Sequence, residues 1–317
     1  MNEEGLVLAL CGGVGGAKVA LGLSQLLPGE QLLIACNTGD DFEHLGLAIS
    51  PDVDTVLYTL SGLSNRQLGW GREGETWNAM AALDGLGGET WFRLGDADLA
   101  LHLLRTHMLR AGATLSEVVD QLRRRLGIEA RVVPATDEPV RTIVTTDAGE
   151  LTFQDYFVRH RCEPPVRSLR YDGADEANPS PALTAAFNDA QLSAIILCPS
   201  NPYLSLAPML TIRGISDALR HRRVPSVAVS PLIGGKAVKG PTDKIMVELG
   251  LQPSAAEILG YLRPWIDVFI LDESDADQAG ALESAGVKVV LAPTLMTSLA
   301  DKVELARCAL KAANVPC

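Results

Sequence analysis

Six short apolar runs constrain this chain most: Leu6–Cys11, Leu32–Cys36, Ala194–Cys198, Val227–Val229, Val268–Leu271 and Val287–Leu291. Each is too short to be a helix, and most are followed by Gly, Pro, Asn or Ser. Helical patterns occupy many of the gaps. The runs are continuously apolar rather than alternating, so both faces of each strand must be covered. That is the habit of a parallel sheet between helical layers. The expected fold is therefore α/β, a Rossmann-like doubly wound, mostly parallel sheet in a single domain over residues 1–317. One region departs from the pattern. Between about Ser61 and Gly127 strand signal is weak, and the helical stretches Asp98–Arg110 and Leu115–Leu126 stand out. Ser116 and Gly127 read as the cap and the stop of the second. This segment reads as a helical insertion within the domain. Arg141–Phe153 reads as a hairpin turning at Asp147-Ala148-Gly149, and Pro164–Pro181 as a turn-rich surface excursion.

The charge balance narrows the partners. With 27 Lys and Arg against 39 Asp and Glu, the formal net charge is −12. So acidic a chain is a poor general binder of nucleic acid, whose affinity rests on phosphate contacts, and a poor match for an anionic membrane surface. A small anionic ligand needs only a local positive site. The six cysteines form no CxxC pair, and Cys11, Cys36 and Cys198 end apolar runs, so they read as reduced core thiols. The acidic start Met-Asn-Glu-Glu is unlike a signal peptide, and no apolar run approaches membrane-spanning length. A cytoplasmic protein is expected. The residues fix no oligomeric state, and a homodimer is compatible with them.

The first strand runs directly into Gly12-Gly13-Val14-Gly15-Gly16-Ala17-Lys18, followed by the helical pattern Val19–Leu27. Glycines let backbone approach a ligand closely, and a helix N-terminus offers unpaired N–H groups. Gly12, Gly13, Gly15, Gly16 and Lys18 are thus candidates for a phosphate or nucleotide loop, against the plainer reading of a tight strand-to-helix turn. The spacing is not that of a P-loop, since Val19 follows Lys18. It also fits a nicotinamide site poorly, because the second strand ends at Cys36-Asn37 rather than at an acid.

Carboxylates cluster next. Asn37-Thr38-Gly39-Asp40-Asp41 follows the second strand, and Ser50-Pro51-Asp52-Val53-Asp54 precedes an apolar helical run. Acids without His or Cys suit a hard cation such as Mg²⁺ bridging phosphate oxygens, or orientation of an attacking hydroxyl. Asp40, Asp41 and Asp54 are the metal candidates, and Asp41 and Asp54 the catalytic ones. Asp52 reads instead as a helix-start residue.

A second anion-type locus follows later strands. Pro199-Ser200-Asn201-Pro202 is a stiff turn presenting Ser200 and Asn201, with Asn201 as a mere turn former the alternative. Pro231–Lys244 carries three glycines and three lysines, including Gly235, Lys236 and Lys239, and forms a positive patch in an acidic chain. The alternative there is a flexible solvated loop. In the insertion, Trp70, Trp77, Trp91 and Phe92 could stack on a flat ligand or simply fill core. Arg93 could pair with an anionic ring or phosphate, or with Asp96 or Asp98. His102 and His107 read as structural.

Taken in order, Cys11–Lys18, Asn37–Asp41, Ser50–Leu60, Trp91–Asp98, Pro199–Pro202 and Ser230–Lys244 resemble the 2-phospho-L-lactate transferase family, whose members build the deazaflavin coenzyme of the F-420 type. The family also has relatives that bind nucleotide-sugars without transferase chemistry, such as gluconeogenesis factors of the YvcK type. The resemblance implies a Rossmann-like core, Mg²⁺ dependence, and transfer of a phospho-organic-acid group from a guanosine-diphosphate-linked donor to the deazaflavin alcohol Fo, releasing GMP. It implies that Asp54 and Arg93 contact Fo, with Trp91 beside them under the insertion. It places Ser200 and Asn201 at the guanosine nucleotide, and Asp40 and Asp41 at the metal or acceptor hydroxyl. The organic acid could be phospholactate, phosphoenolpyruvate or 3-phosphoglycerate. The rival is a nucleotide-sugar-binding regulatory protein.

Overall fold

The computed structural model describes residues 5–65, 71–284 and 286–316. Seven strands form the central sheet: β1 Leu6–Cys11, β2 Leu32–Cys36, β3 Arg131–Pro134, β4 Leu192–Leu197, β5 Ser226–Val229, β6 Val268–Asp272 and β7 Lys288–Ala292. Their order is β7-β6-β5-β4-β1-β2-β3, and every neighbouring pair is parallel. Strand order reverses at β1, so the crevice at the carboxyl ends of β1 and β4 is the topological switch point, where open α/β sheets bind ligands. Alternate residues of β1 serve opposite cores. Leu6, Leu8 and Leu10 pack on one face of the sheet, and Val7, Ala9 and Cys11 on the other. This two-sided burial is what the unbroken apolar runs require.

Six strands fall where the apolar runs place them, within two residues at each end. The seventh, β3, is an edge strand of four residues that opens with Arg131 and closes on Pro134. Its terminal proline suits an edge, where a missing N–H costs nothing.

Helix α1 spans Gly13–Ser24. It starts inside the glycine run rather than at Val19, so Gly15 and Gly16 lie in its first turn and the run is no extended loop. Helices α2 Pro51–Leu60, α3 Asn78–Gly85, α4 Asp96–Arg110 and α5 Leu115–Arg125 follow. The cap of α5 is Thr114 in a reciprocal box with Glu117, two residues earlier than Ser116. Ser116 instead donates its N–H and hydroxyl to Asp137 at 2.7 and 3.0 Å. The expected hairpin is present as Arg141–Thr146 with Gly149–Thr152, and a third antiparallel strand, Val166–Asp172, joins it. That strand replaces part of the excursion expected over Pro164–Pro181. Its Arg167, Arg170 and Asp172 disguise a half-buried Leu169 and Tyr171 on one face.

Cys11, Cys36 and Cys198 are buried free thiols. No helix among the described residues is long and apolar enough to cross a membrane.

Candidate active site

The glycine run and the Pro199–Pro202 turn interlock across the switch point. The Gly12 N–H donates to Ser200 Oγ at 3.1 Å, and the Ser200 hydroxyl donates to the Gly12 carbonyl at 2.8 Å. A Cβ at Gly15 would lie 2.3 Å from the Pro199 carbonyl oxygen, and one at Gly16 2.9 Å from Ser200 Oγ. A Cβ at Gly12 would lie 2.4 Å from Ser205 Cβ. These glycines therefore let one chain segment touch another, and Gly13, at φ +60°, supplies the left-handed step into the helix. Gly15→Ala is expected to cost about 1–3 kcal/mol, because the obstacle is backbone that must move. A denaturation midpoint equal to wild type would remove this clasp from the account.

Asn201 caps the turn Pro202–Leu206, its Oδ1 accepting from the N–H groups of Tyr203 at 2.9 Å and Leu204 at 3.0 Å. The turn-forming role is thus real, and only Nδ2 is left to serve a ligand.

The acids gather at the end of β2. Asn37 Nδ2 donates to Asp40 Oδ1 at 3.1 Å and to Asp52 Oδ2 at 2.9 Å. Ser50, not Asp52, occupies the N-cap of α2. Asp52 turns inward and accepts from the Gly13 N–H and from Ser205. Burial pushes its carboxyl up to about 6, against those hydrogen bonds. Burial, and then the charge of Asp52, also raises Asp40 well above the usual carboxylate range. Asp41 is pushed up to about 7 by burial, opposed by Arg141 and by the Ser50 hydroxyl, which donates to Oδ2 at 2.9 Å. Its Oδ1 is buried with no hydrogen-bond partner. Asp54 is gripped by Arg105: Nη1 donates to Oδ2 at 3.0 Å and Nη2 to Oδ1.

Among the described residues no three His, Cys, Asp or Glu side chains converge to hold a metal. Asp40, Asp41 and Asp54 do not close the three-carboxylate site expected of them, because Asn37 engages Asp40 and Arg105 engages Asp54. A cation held by one or two carboxylates plus phosphate oxygens needs no such cage, which is the habit of Mg²⁺. The unpaired Asp41 oxygen fits that demand when its carboxyl is ionised.

The basic residues lie on the other side of α1. Lys18 Nζ donates to the Met296 carbonyl at 2.8 Å. Its pKa is lowered by burial, then by the charges of Lys302 and Lys239, so three lysines from separate segments share one neighbourhood. Gly234-Gly235 turns a small hairpin, Leu232–Ile233 with Lys236–Ala237, with φ of +58° and +71° at the two glycines. The Gly234 N–H donates to Asp275 at 2.8 Å, so the segment is built rather than loose, and Lys236 is exposed on it. Lys244 is engaged with Glu248 at 2.5 Å.

In the insertion, Trp91 packs against Phe42, His44 and Phe92, with the Arg159 guanidinium 4.4 Å over its ring. Arg93 lies 4.2 Å over Trp77 rather than in an ion pair with Asp96 or Asp98. Phe42, Trp77 and Phe92 border a small satellite core around Ile49, Met80 and Leu94. That core carries the hairpin Phe42–His44 with Leu47–Ile49, which begins next to Asp41. Trp91 is thereby tied to the acid rim through Phe42. Trp70 lies outside the described residues. Sequence reasoning did not bring Asn37, Asp52, His102 and Arg105 into this buried polar cluster. The last two had a signal: Asp98, His102 and Arg105 recur at helical spacing on one face of α4.

A parallel sheet with backbone amides and buried acids at the carboxyl ends of β1 and β2 defines a Rossmann-like α/β protein. The family model for 2-phospho-L-lactate transferase CofD matches residues 7–295. The chain belongs to that family, and is accordingly a transferase of phosphorus-containing groups. It is 42% identical over 302 residues to a 2-phospho-L-lactate transferase of Methanopyrus kandleri, covering 94% of each chain. It is 38% identical over 314 residues to a phosphoenolpyruvate transferase of Streptomyces coelicolor, covering 97% of this chain and 98% of that one. A solved UPF0052-family protein of Bacillus halodurans shares the fold, with a TM-score of 0.63 at 15% identity over 96% of this chain and 99% of that one.

Proposed function

We propose that this protein transfers a phospho-organic-acid group from a guanosine-diphosphate-linked donor to the ribityl hydroxyl of the deazaflavin alcohol Fo, with Mg²⁺, releasing GMP. The acceptor oxygen forms a bond to the phosphorus bearing the organic acid, the bond from that phosphorus to the bridging oxygen breaks, and the hydroxyl proton leaves. The single observation that carries this reading is the buried, unpaired Oδ1 of Asp41, next to Asp40 and within the charge of Asp54, past the carboxyl end of β2. We assign Asp41 to receive the hydroxyl proton or to share a cation. Mg²⁺, when bound, supplies charge neutralisation of the pyrophosphate. The chain's own part is to position two substrates and balance charge, which is most of what phosphoryl transfer asks. Lys18, Lys236 and Lys239 are assigned to the donor's anionic end. Trp91 and Arg93 are assigned to the flat acceptor.

The test is incubation with Fo, Mg²⁺ and an equal mixture of GDP-linked phospholactate, phosphoenolpyruvate and 3-phosphoglycerate donors. Mass spectrometry should find GMP and one dominant, more anionic deazaflavin, whose mass identifies the acid. Absence of any such product, with tight binding of a UDP-sugar instead, would reject the transfer reading in favour of a nucleotide-sugar-binding regulator.

A further inference from the structure

Behind Asp54 lies a continuous buried polar chain that the proposed chemistry has not used. Arg105, on α4, is fully buried. Besides its two bonds to Asp54, its Nη1 donates to the Ala48 carbonyl at 3.3 Å and lies 3.2 Å from His102 Nδ1. A guanidinium has no acceptor, so this contact is a hydrogen bond only when Nδ1 accepts, which is the tautomer with the His102 proton on Nε2. Nε2 lies 3.3 Å from Asp98 Oδ1, and the Tyr58 hydroxyl donates to the same oxygen at 2.5 Å. Tyr58 and Asp54 are both on α2, whereas Asp98, His102 and Arg105 are all on α4. The chain thus leaves the Rossmann core, runs through the insertion and returns. It is pinned further where the Ala48 N–H donates to Thr106 Oγ1 at 2.8 Å. The charge of Arg105 also acts on Asp41, as does that of Asp54.

We infer that Arg105 is a positioning residue for the acid rim, fixing the Asp54 carboxylate and the charge beside Asp41, and is itself aimed by His102, Asp98 and Tyr58. The geometry favours this over simple stapling. Stapling two helices requires no guanidinium fork, and a buried ion pair is seldom the most stable way to fill a core. A bidentate fork does impose an orientation that a point charge does not. The insertion is then part of the active site's construction and not only a cover over the acceptor.

The inference rests on the transferase reading, and its test separates the two. In the Fo transfer assay, Arg105→Lys keeps the charge but loses the fork, and its kcat should fall about 100-fold with KM for either substrate within about twofold. Tyr58→Phe deletes one hydroxyl at the far end of the chain. Its kcat should fall about three- to tenfold while Tm stays within a few degrees, as expected for one hydrogen bond. An activity-free readout accompanies these: imidazole ¹⁵N chemical shifts of His102 should report the Nε2–H tautomer in the wild type and a mixture in Arg105→Lys. Wild-type turnover together with normal kcat in both folded variants would overturn the positioning role. So would an Nδ1–H tautomer in the wild type. If the wild type turns over no Fo, the function reading fails and the tautomer shifts alone decide this one.

Discussion

Asp41→Asn is expected to lower transfer about 100- to 1,000-fold, the range seen when one preorganised charge-handling group is removed, while the fold becomes no less stable. The two effects share one cause. Burial holds the Asp41 carboxyl near pH 7, opposed by Arg141 and Ser50, whereas an unfolded chain titrates it near 3.9. Between those values the folded protein keeps a proton that the unfolded chain has released. Stability from this group therefore falls as pH rises from about 4 to about 7 and stays low above that. The penalty has a ceiling on the order of 4 kcal/mol at alkaline pH. Asn escapes it, less whatever the weakened Ser50 bond returns. Without added divalent cation, Tm of Asp41→Asn should match wild type near pH 4 and exceed it at pH 8. A variant that is destabilised at pH 8, or that turns over normally, would count against both the unpaired oxygen and its role.

Asp54→Asn is expected to behave in the opposite way in stability. It leaves the Arg105 guanidinium buried without its counter-ion, and breaking one half of a buried ion pair costs about 3–5 kcal/mol. For a chain of this size that is a Tm loss on the order of 10 °C. Activity should be lost as well. Replacing both partners, Asp54→Leu with Arg105→Met, should recover most of the stability and none of the transfer. Calorimetry of the wild type, Asp54→Leu, Arg105→Met and the double variant forms a double-mutant cycle. A coupling near zero would mean that the fork between the two side chains carries no energy.

The two neighbouring acids show how far the amino-acid sequence could be read. The sheet was legible because buried parallel strands write themselves as unbroken apolar runs. The edge strand Arg131–Pro134 and the exposed strand Val166–Asp172 were not, because their charged and proline positions are set by solvent on one side. Asp40, Asp41 and Asp54 could be picked out as a cluster after a strand. Their partners could not: Arg105 lies 51 residues beyond Asp54, and only folding of the insertion brings it there. Asp52 does stand in the first turn of α2, as Ser-Pro-Asp signals, although Ser50 is the N-cap. What that local signal could not show is the contact of its carboxylate with Asn37 and Gly13. Glycines, similarly, announce close approach without saying whether ligand or chain does the approaching. Here Gly15 meets the Pro199 carbonyl.

The position of β1 carries a consequence for biosynthesis. This first strand is flanked by β2 and by β4, and β4 begins only at Leu192. A ribosome must therefore emit the insertion and the antiparallel sheet before the sheet's innermost seam can close. Until Pro199 and Ser200 emerge, the amides at Gly12 and the edge of β1 wait uncovered, and pairing across so many intervening residues is slow. A nascent chain stalled just before that point should be the most protease-sensitive and chaperone-dependent stage in its production.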